Sequence, residues 1–255
     1  MVVRAKKHLG QHFLNDLQIA ENIVNALSWQ GYNQVLEIGP GTGVLTQYLI
    51  HQNRKVSVVE IDKESVEFLQ KKYNGIRENL PVFSEDFLQM NLKAIFDNQV
   101  AIIGNFPYNI SSQILFKVVE NKELVPEVVG MFQKEVAERV AAKHGNKTYG
   151  VISVLIQAYY DVEYLFTVHE HVFTPPPKVK SGVIRLKRKE KEPDCNPAKF
   201  KQVVKSGFSQ RRKTLRNALK STQDIEKLNK HPFLNLRAEQ LSVEDFVELT
   251  QILSA

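Results

Sequence analysis

The chain has 255 residues, a formal net charge of +6, 43% hydrophobic residues and a single cysteine. That length buries a full core and leaves room for one large domain plus a small one, while the lone thiol, Cys195, excludes a disulfide framework and a multi-thiolate metal site. No apolar run reaches the length of a membrane span and no apolar signal region follows the basic start, so a cytoplasmic protein with no membrane partner and no metal is expected.

Along the chain, Arg4, Lys6, Lys7 and His8 make a first basic cluster. Val35–Ile38 reads as a short buried strand, and Val44 to Ile50 as the start of a helix. The glycines between them, in Glu37-Ile38-Gly39-Pro40-Gly41-Thr42-Gly43, let a backbone approach a ligand closely. A dinucleotide fingerprint fails because Val44 stands where its last glycine belongs, and the triphosphate loop is absent. The next strand, Lys55 to Glu60, ends in an acid at the spacing that takes ribose hydroxyls. A third apolar stretch, Pro81–Ser84, runs into Glu85-Asp86-Phe87, where an acid can accept from an adenine amine and Phe87 can pack on its face. Three successive strand ends carrying Gly, Glu and Asp outweigh the reading of each as a solvated turn.

Val100–Gly104 is another buried-strand pattern, closed by Asn105-Phe106-Pro107-Tyr108. Alone, that tetrad is an ordinary turn. At a strand's carboxyl end, where open α/β sheets bind ligands, it suits methylation of an exocyclic amine. The N6 lone pair of adenine is delocalised into the ring, so the nitrogen attacks only when acceptors draw its hydrogens aside. The Asn105 amide oxygen and the carbonyl of Phe106 or Pro107 can do this, and Pro107 stiffens the turn without adding a donor. Tyr108 offers a stacking face worth roughly 1–3 kcal/mol per base. The expected cofactor is S-adenosylmethionine and the expected partner a nucleic acid.

Val162 to Val168 and Lys178 to Leu186 alternate as paired late strands. His169 and His171 read as lying on a strand face. Lys187 to Pro193 is charged and apolar-poor, marking a linker. Helical patterns follow at Lys199 to Ser206, Ser209 to Lys220 and Val243 to Leu253. Two further basic groups, Lys178 to Lys191 and Arg211, Arg212, Lys213, Arg216 and Lys220, point to phosphate contact. In the latter, Leu215 and Leu219 hold one face of the expected helix.

Gly10-Gln11-His12-Phe13-Leu14, the glycine turn, Glu60, Asp86, Asn105 to Asn109 and Phe173-Thr174-Pro175-Pro176-Pro177-Lys178-Val179 together resemble the rRNA adenine N6-dimethyltransferases, and the small-subunit (16S) branch most. The resemblance runs from about residue 5 to the C-terminus. It implies a class I S-adenosylmethionine-dependent methyltransferase: a Rossmann-like α/β domain over 1–190 with a mostly parallel seven-stranded sheet, and a small helical rRNA-binding domain over 191–255. It implies cofactor contacts from His12, Leu14, Gly39, Gly41, Glu60, Ile61, Asp86, Phe87 and Asn105. It makes Asn105, Pro107 and Tyr108 the amine-binding catalytic set, with Phe173 a second aromatic wall, and gives Arg211, Arg212, Lys213 and Arg216 to RNA. His12 stands where many relatives have Asn, and Phe106 replaces a more usual aliphatic residue, which is expected to alter the pocket's shape but not its chemistry.

The implied reaction is transfer of four methyl groups to two adjacent adenosines in the 3′-terminal hairpin loop of 16S rRNA, by a monomer, with a role in small-subunit biogenesis. Alternatives are a 23S rRNA adenine N6-methyltransferase conferring antibiotic resistance, and a mainly non-catalytic ribosome-assembly checkpoint. A DNA adenine methyltransferase is more distant, since that class more often opens the tetrad with an acid where this chain has Asn105.

Overall fold

The apolar runs become the central strands of one sheet. A computed structural model of the chain describes residues 3–75, 80–220 and 225–254. In chain order the elements are β1 (Phe13–Leu14), α1 (Leu17–Asn25), β2 (Gln34–Ile38), α2 (Thr46–Leu49), β3 (Lys55–Val59), α3 (Lys63–Tyr73), β4 (Val82–Phe83), α4 (Leu92–Ile95), β5 (Val100–Asn105) and α5 (Ser111–Glu120). There follow β6 (Glu127–Gln133), α6 (Lys134–Ala141), α7 (Val151–Gln157), β7 (Tyr160–Val168), β8 (Phe173–Thr174), β9 (Ser181–Arg188), α8 (Pro197–Phe208), α9 (Leu215–Ala218) and α10 (Val243–Ser254).

Seven strands hydrogen-bond in the order β4-β3-β2-β5-β6-β9-β7. The first five are parallel and β9 runs antiparallel to β6. Val35 of β2 sits between Val56 and Ala101, and all three are buried. Such unbroken apolar strands are what a sheet covered on both faces requires. Strand order reverses between β2 and β5, so the crevice beyond their carboxyl ends is the expected ligand site. Gly39 follows β2 and Asn105 closes β5, which puts the two sequence motifs at that switch point.

The chain forms two compact units, Met1–Ala137 with Glu163–Arg188, and Glu138–Val162 with Lys189–Ala255. The break after Arg188 falls in the expected linker. Residues 138–162, expected with the first domain, group with the C-terminal unit instead. The cause is packing: α7 buries Ile152 through Ile156, and α8 is among the helices it packs against. Within that second unit the Phe208 ring stacks on Phe246 at 5.7 Å and meets the Tyr149 ring at a tilt, 6.1 Å away. Asn196 caps α8 by accepting from Lys199 N–H at 3.0 Å.

Two local expectations are corrected. The single helix expected over Ser209 to Lys220 is a turn followed by the four-residue α9. Thr214 is extended (ψ 161°) and Leu215 N–H donates to Leu236 O at 2.7 Å, so the backbone bond a continuous helix needs is spent elsewhere. Leu215 and Leu219 are nonetheless buried, as their spacing requires. His169 and His171 lie not on a strand face but around a 3₁₀ turn, Glu170–Val172, with rings 5.8 Å apart. Among the described residues no helix is long and apolar enough to cross a membrane, and no acid, histidine or cysteine cluster could hold a metal.

Candidate active site

The cleft at the switch point is built from three strand ends and the N-terminal arm, and encloses about 470 Å³ including its open mouth. Its lining joins Gly39, Gly41, Glu60 and Ile61 with His12, Asn105, Pro107 and Tyr108.

The glycine turn comes first. Gly41 takes φ +56°, and a Cβ there would meet the Phe13 ring at 2.8 Å. Only glycine satisfies both demands, so the arm lies directly on the turn. Glu60, 4% exposed, accepts from Gly41 N–H at 3.1 Å and Asp62 N–H at 2.9 Å. Burial raises its pKa against those two hydrogen bonds. Beside it Ile61 stays 51% exposed, an apolar face next to a carboxylate. A backbone cradle, a strand-end acid and an adjacent aliphatic surface fit the ribose and adenine of S-adenosylmethionine.

The arm is held at both ends. Lys6 ion-pairs with Asp62, the N-cap of α3, and with Glu64 at 3.2 Å. Burial raises the Asp62 pKa, but Lys6 and Ser65 outweigh it and the net shift is downward. Further on, β1 pairs with β8, Leu14 opposite Phe173.

On the base side, Asn105 Nδ2 donates to His12 O at 2.9 Å. With the nitrogen committed, the amide oxygen is the acceptor left for a substrate amine. Pro107 O accepts from Ile110 N–H (3.2 Å) and Ser111 Oγ (3.1 Å), closing the 3₁₀ turn Tyr108–Ile110. Of the two carbonyls expected to serve the amine, that leaves Phe106 O. Tyr108 is fixed by its hydroxyl, 2.5 Å from Ser181 Oγ, and its ring stacks on His12 at 5.4 Å and 27°. Burial pushes the Tyr108 phenol up, with Ser181 opposing. His12 Nδ1 lies 2.7 Å from Pro175 O, so Nδ1 carries the proton.

Not every expected residue reaches the cleft. Leu14 lines a smaller neighbouring cavity with Glu37, Gly39 and Asn105. Asp86 and Phe87 sit one strand over: Glu60 N–H donates to Phe83 O at 2.9 Å, which places the turn after β4 beside Glu60. The Phe87 ring, expected to pack on the adenine, is 3% exposed and offers no open face. Phe173 is 3% exposed and packed in the core, so it presents no open ring face. Phe106 lines the cleft, but not with an outward ring. Its ring turns inward, edge-on to Phe132 at 4.9 Å, over the paired Gly104 and Gly130. Arg211, Arg212, Lys213 and Arg216 are exposed in the second unit, with Arg211 also donating to Lys147 O at 2.5 Å.

Sequence reading missed Glu37, Ser181 and the His12–Tyr108 stack. Glu37 is buried, accepts from Thr46 Oγ1 at 2.6 Å, and is pushed up to about 8 by burial. The signal available was a charged residue inside an otherwise apolar strand.

A doubly wound sheet whose strand ends carry this glycine turn, acid and Asn-x-Pro-Tyr tetrad defines a class I S-adenosylmethionine-dependent methyltransferase. The family model for Ribosomal RNA adenine dimethylase matches residues 2–255, and the chain belongs to that family of enzymes, which methylate rRNA adenines with S-adenosylmethionine. It is 60% identical to Ribosomal RNA small subunit methyltransferase A of Cytophaga hutchinsonii, over 99% of this chain and 98% of that one. It is 56% identical to the protein of the same name from Flavobacterium johnsoniae, over 99% and 97%. Among solved structures it resembles a dimethyladenosine transferase from Plasmodium falciparum (TM-score 0.80, 28% identity, 93% of this chain and 96% of that one). The 23S rRNA methyltransferase ErmE shares the fold (TM-score 0.71, 24% identity, 95% and 100%).

Proposed function

We propose that this enzyme dimethylates N6 of two adjacent adenosines in the 3′-terminal hairpin loop of 16S rRNA, within the small ribosomal subunit, and acts in that subunit's biogenesis as a cytoplasmic monomer. The small-subunit target is supported by relatives 56–60% identical over nearly the full chain that carry a small-subunit name. Loop bases are suitable substrates because they can be splayed out and stacked on aromatic side chains.

The observation that carries the chemistry is the hydrogen bond from Asn105 Nδ2 to His12 O. It turns the amide oxygen into a fixed acceptor, and Phe106 O supplies the second. Together they draw the two amine hydrogens out of the ring plane and free the nitrogen lone pair. Tyr108, held by Ser181, gives the base a stacking face. S-adenosylmethionine supplies an activated methyl group, so these residues catalyse by placement rather than by proton transfer. Gly39, Gly41, Glu60 and Ile61 hold the cofactor's methionine, ribose and adenine parts, with Asp86 completing the adenine end. Arg211, Arg212, Lys213 and Arg216 contact phosphates.

The test is transfer of labelled methyl groups to unmodified ribosomal subunits, with the label mapped to nucleotides. Dimethyladenosine in the small-subunit 3′ hairpin is the expected product. Label confined to the large subunit overturns the target, and tight binding without label favours an assembly checkpoint.

A further inference from the structure

We infer that Lys117 is a positioning residue for the adenine end of the cofactor, acting through the turn that carries Asp86 and Phe87; this rests on the assignment of that turn to the cofactor's base. The turn has little regular structure of its own. Gln89 N–H donates to Asp86 O at 2.9 Å, Met90 N–H to Phe87 O at 3.2 Å, and Leu88 N–H to Asp86 Oδ1 at 2.9 Å. The chain then passes to the four-residue α4. Carbonyls at the exit of such a turn need donors from elsewhere.

Lys117 provides them. Its ammonium donates to Leu88 O at 2.9 Å and to Met90 O at 2.6 Å, and lies 5.2 Å from the centre of the Phe87 ring. Burial lowers its pKa, while Asp86, Glu120 and Glu85 raise it. An ordinary surface lysine keeps its head in water; this one is bound to two backbone oxygens and an aromatic face. Lys117 belongs to α5, which begins at Ser111, directly after the Asn105–Tyr108 tetrad and its 3₁₀ turn. One side chain therefore joins the turn that reads the cofactor's base to the helix that grows out of the substrate's amine site.

The consequence is base discrimination. Adenine offers an amine donor to Asp86 and an acceptor at N1, whereas hypoxanthine offers an oxygen and an N–H in those places. A turn held in register rejects the exchanged pattern, because buried polar groups are left unpaired. A turn freed to move rejects it less.

The experiment measures calorimetric binding of S-adenosylhomocysteine and S-inosylhomocysteine to the wild type, Lys117→Met and Lys117→Arg. Wild type should prefer the adenosyl compound by on the order of a hundredfold. In Lys117→Met the adenosyl affinity should fall roughly tenfold with inosyl binding little changed, so that discrimination narrows, and KM for S-adenosylmethionine should rise with kcat at saturation within about threefold. Lys117→Arg should restore most of the discrimination, since its fork also donates to carbonyls. Unchanged discrimination in a folded Lys117→Met overturns the proposal even where its melting temperature drops, because a purely structural lysine would have that effect. Lys117→Gln serves the same comparison if the Met variant does not fold. A wild type that fails to discriminate overturns the assignment of Asp86 itself, and is told apart because it needs no variant.

Discussion

Asn105 and His12 are joined by a single hydrogen bond, amide nitrogen to backbone oxygen, at 2.9 Å. The two residues are far apart in sequence, one closing β5 and the other in the N-terminal arm. The arm therefore sets which way the Asn105 amide, proposed to bind the substrate amine, faces. Asn105→Ala removes both the acceptor and this tie. Losing one fixed dipole at a reacting centre costs on the order of 10²–10³ in kcat. The fold should survive, since Asn105 is only half-buried. Asn105→Asp should be nearly as inactive, because a carboxylate placed against His12 O sets two acceptors face to face. The check is single-turnover methyl transfer alongside circular dichroism; substantial transfer by a folded Asn105→Ala would falsify the role.

The Phe106 ring and Gly130 form a second coupled pair. A Cβ at Gly130 would lie 2.2 Å from that ring, and at Gly104 2.7 Å. Gly130→Ala should therefore destabilise by about 1–3 kcal/mol through overpacking. Trimming the ring in Gly130→Ala/Phe106→Leu should recover part of that loss, and a double-mutant cycle on denaturant midpoints measures the coupling. Additive effects would mean that the contact is not energetically shared.

The parallel core was legible because β2, β3 and β5 are apolar runs that end at residues lining the cleft: Gly39, Glu60 and Asn105. Each lies within a few residues of the pattern that reveals it. What escaped depends on contacts across long sequence separations. Tyr108 meets Ser181 from 73 positions away, and no local signal announces it. Phe173 reads as an aromatic wall by motif, yet its pairing with Leu14 buries it. The helix expected across Ser209 to Lys220 has the right apolar spacing, and Leu215 and Leu219 are buried as that spacing demands. Periodicity reports which side is buried, not whether the backbone bonds continue, and here Leu236 takes one of them.

Glu37 gives a pH signature. Its pKa is raised by burial from the ordinary 4.5 to about 8. Between those values the folded protein holds a proton that the unfolded chain has released, so this residue's contribution to stability falls as pH rises through the window and levels off above it. Glu37→Gln stays neutral and can still accept from Thr46, so it should lose that slope. The variant should gain on the wild type from pH 5 upward, by at least about 1 kcal/mol at pH 8. Parallel stability profiles in urea would show that Glu37 is ionised in the folded state.

The exposed cations around α9 divide by what else they do. Arg211 donates to Lys147 O at 2.5 Å and lies 3.5 Å from Tyr149 O, so removing it perturbs the unit as well as its charge. Arg212, Lys213 and Arg216 are exposed, and for them charge is the feature to test. The triple variant Arg212→Ala/Lys213→Ala/Arg216→Ala should keep its melting temperature and its affinity for S-adenosylhomocysteine while binding rRNA more weakly. If each cation neutralises one phosphate, the slope of log affinity against log salt should shrink by about 2, at roughly 0.7 per contact on single strands. Weaker binding with an unchanged salt slope would mean that these side chains act by shape rather than by charge, and would move the phosphate contacts to the basic residues between Lys178 and Lys191.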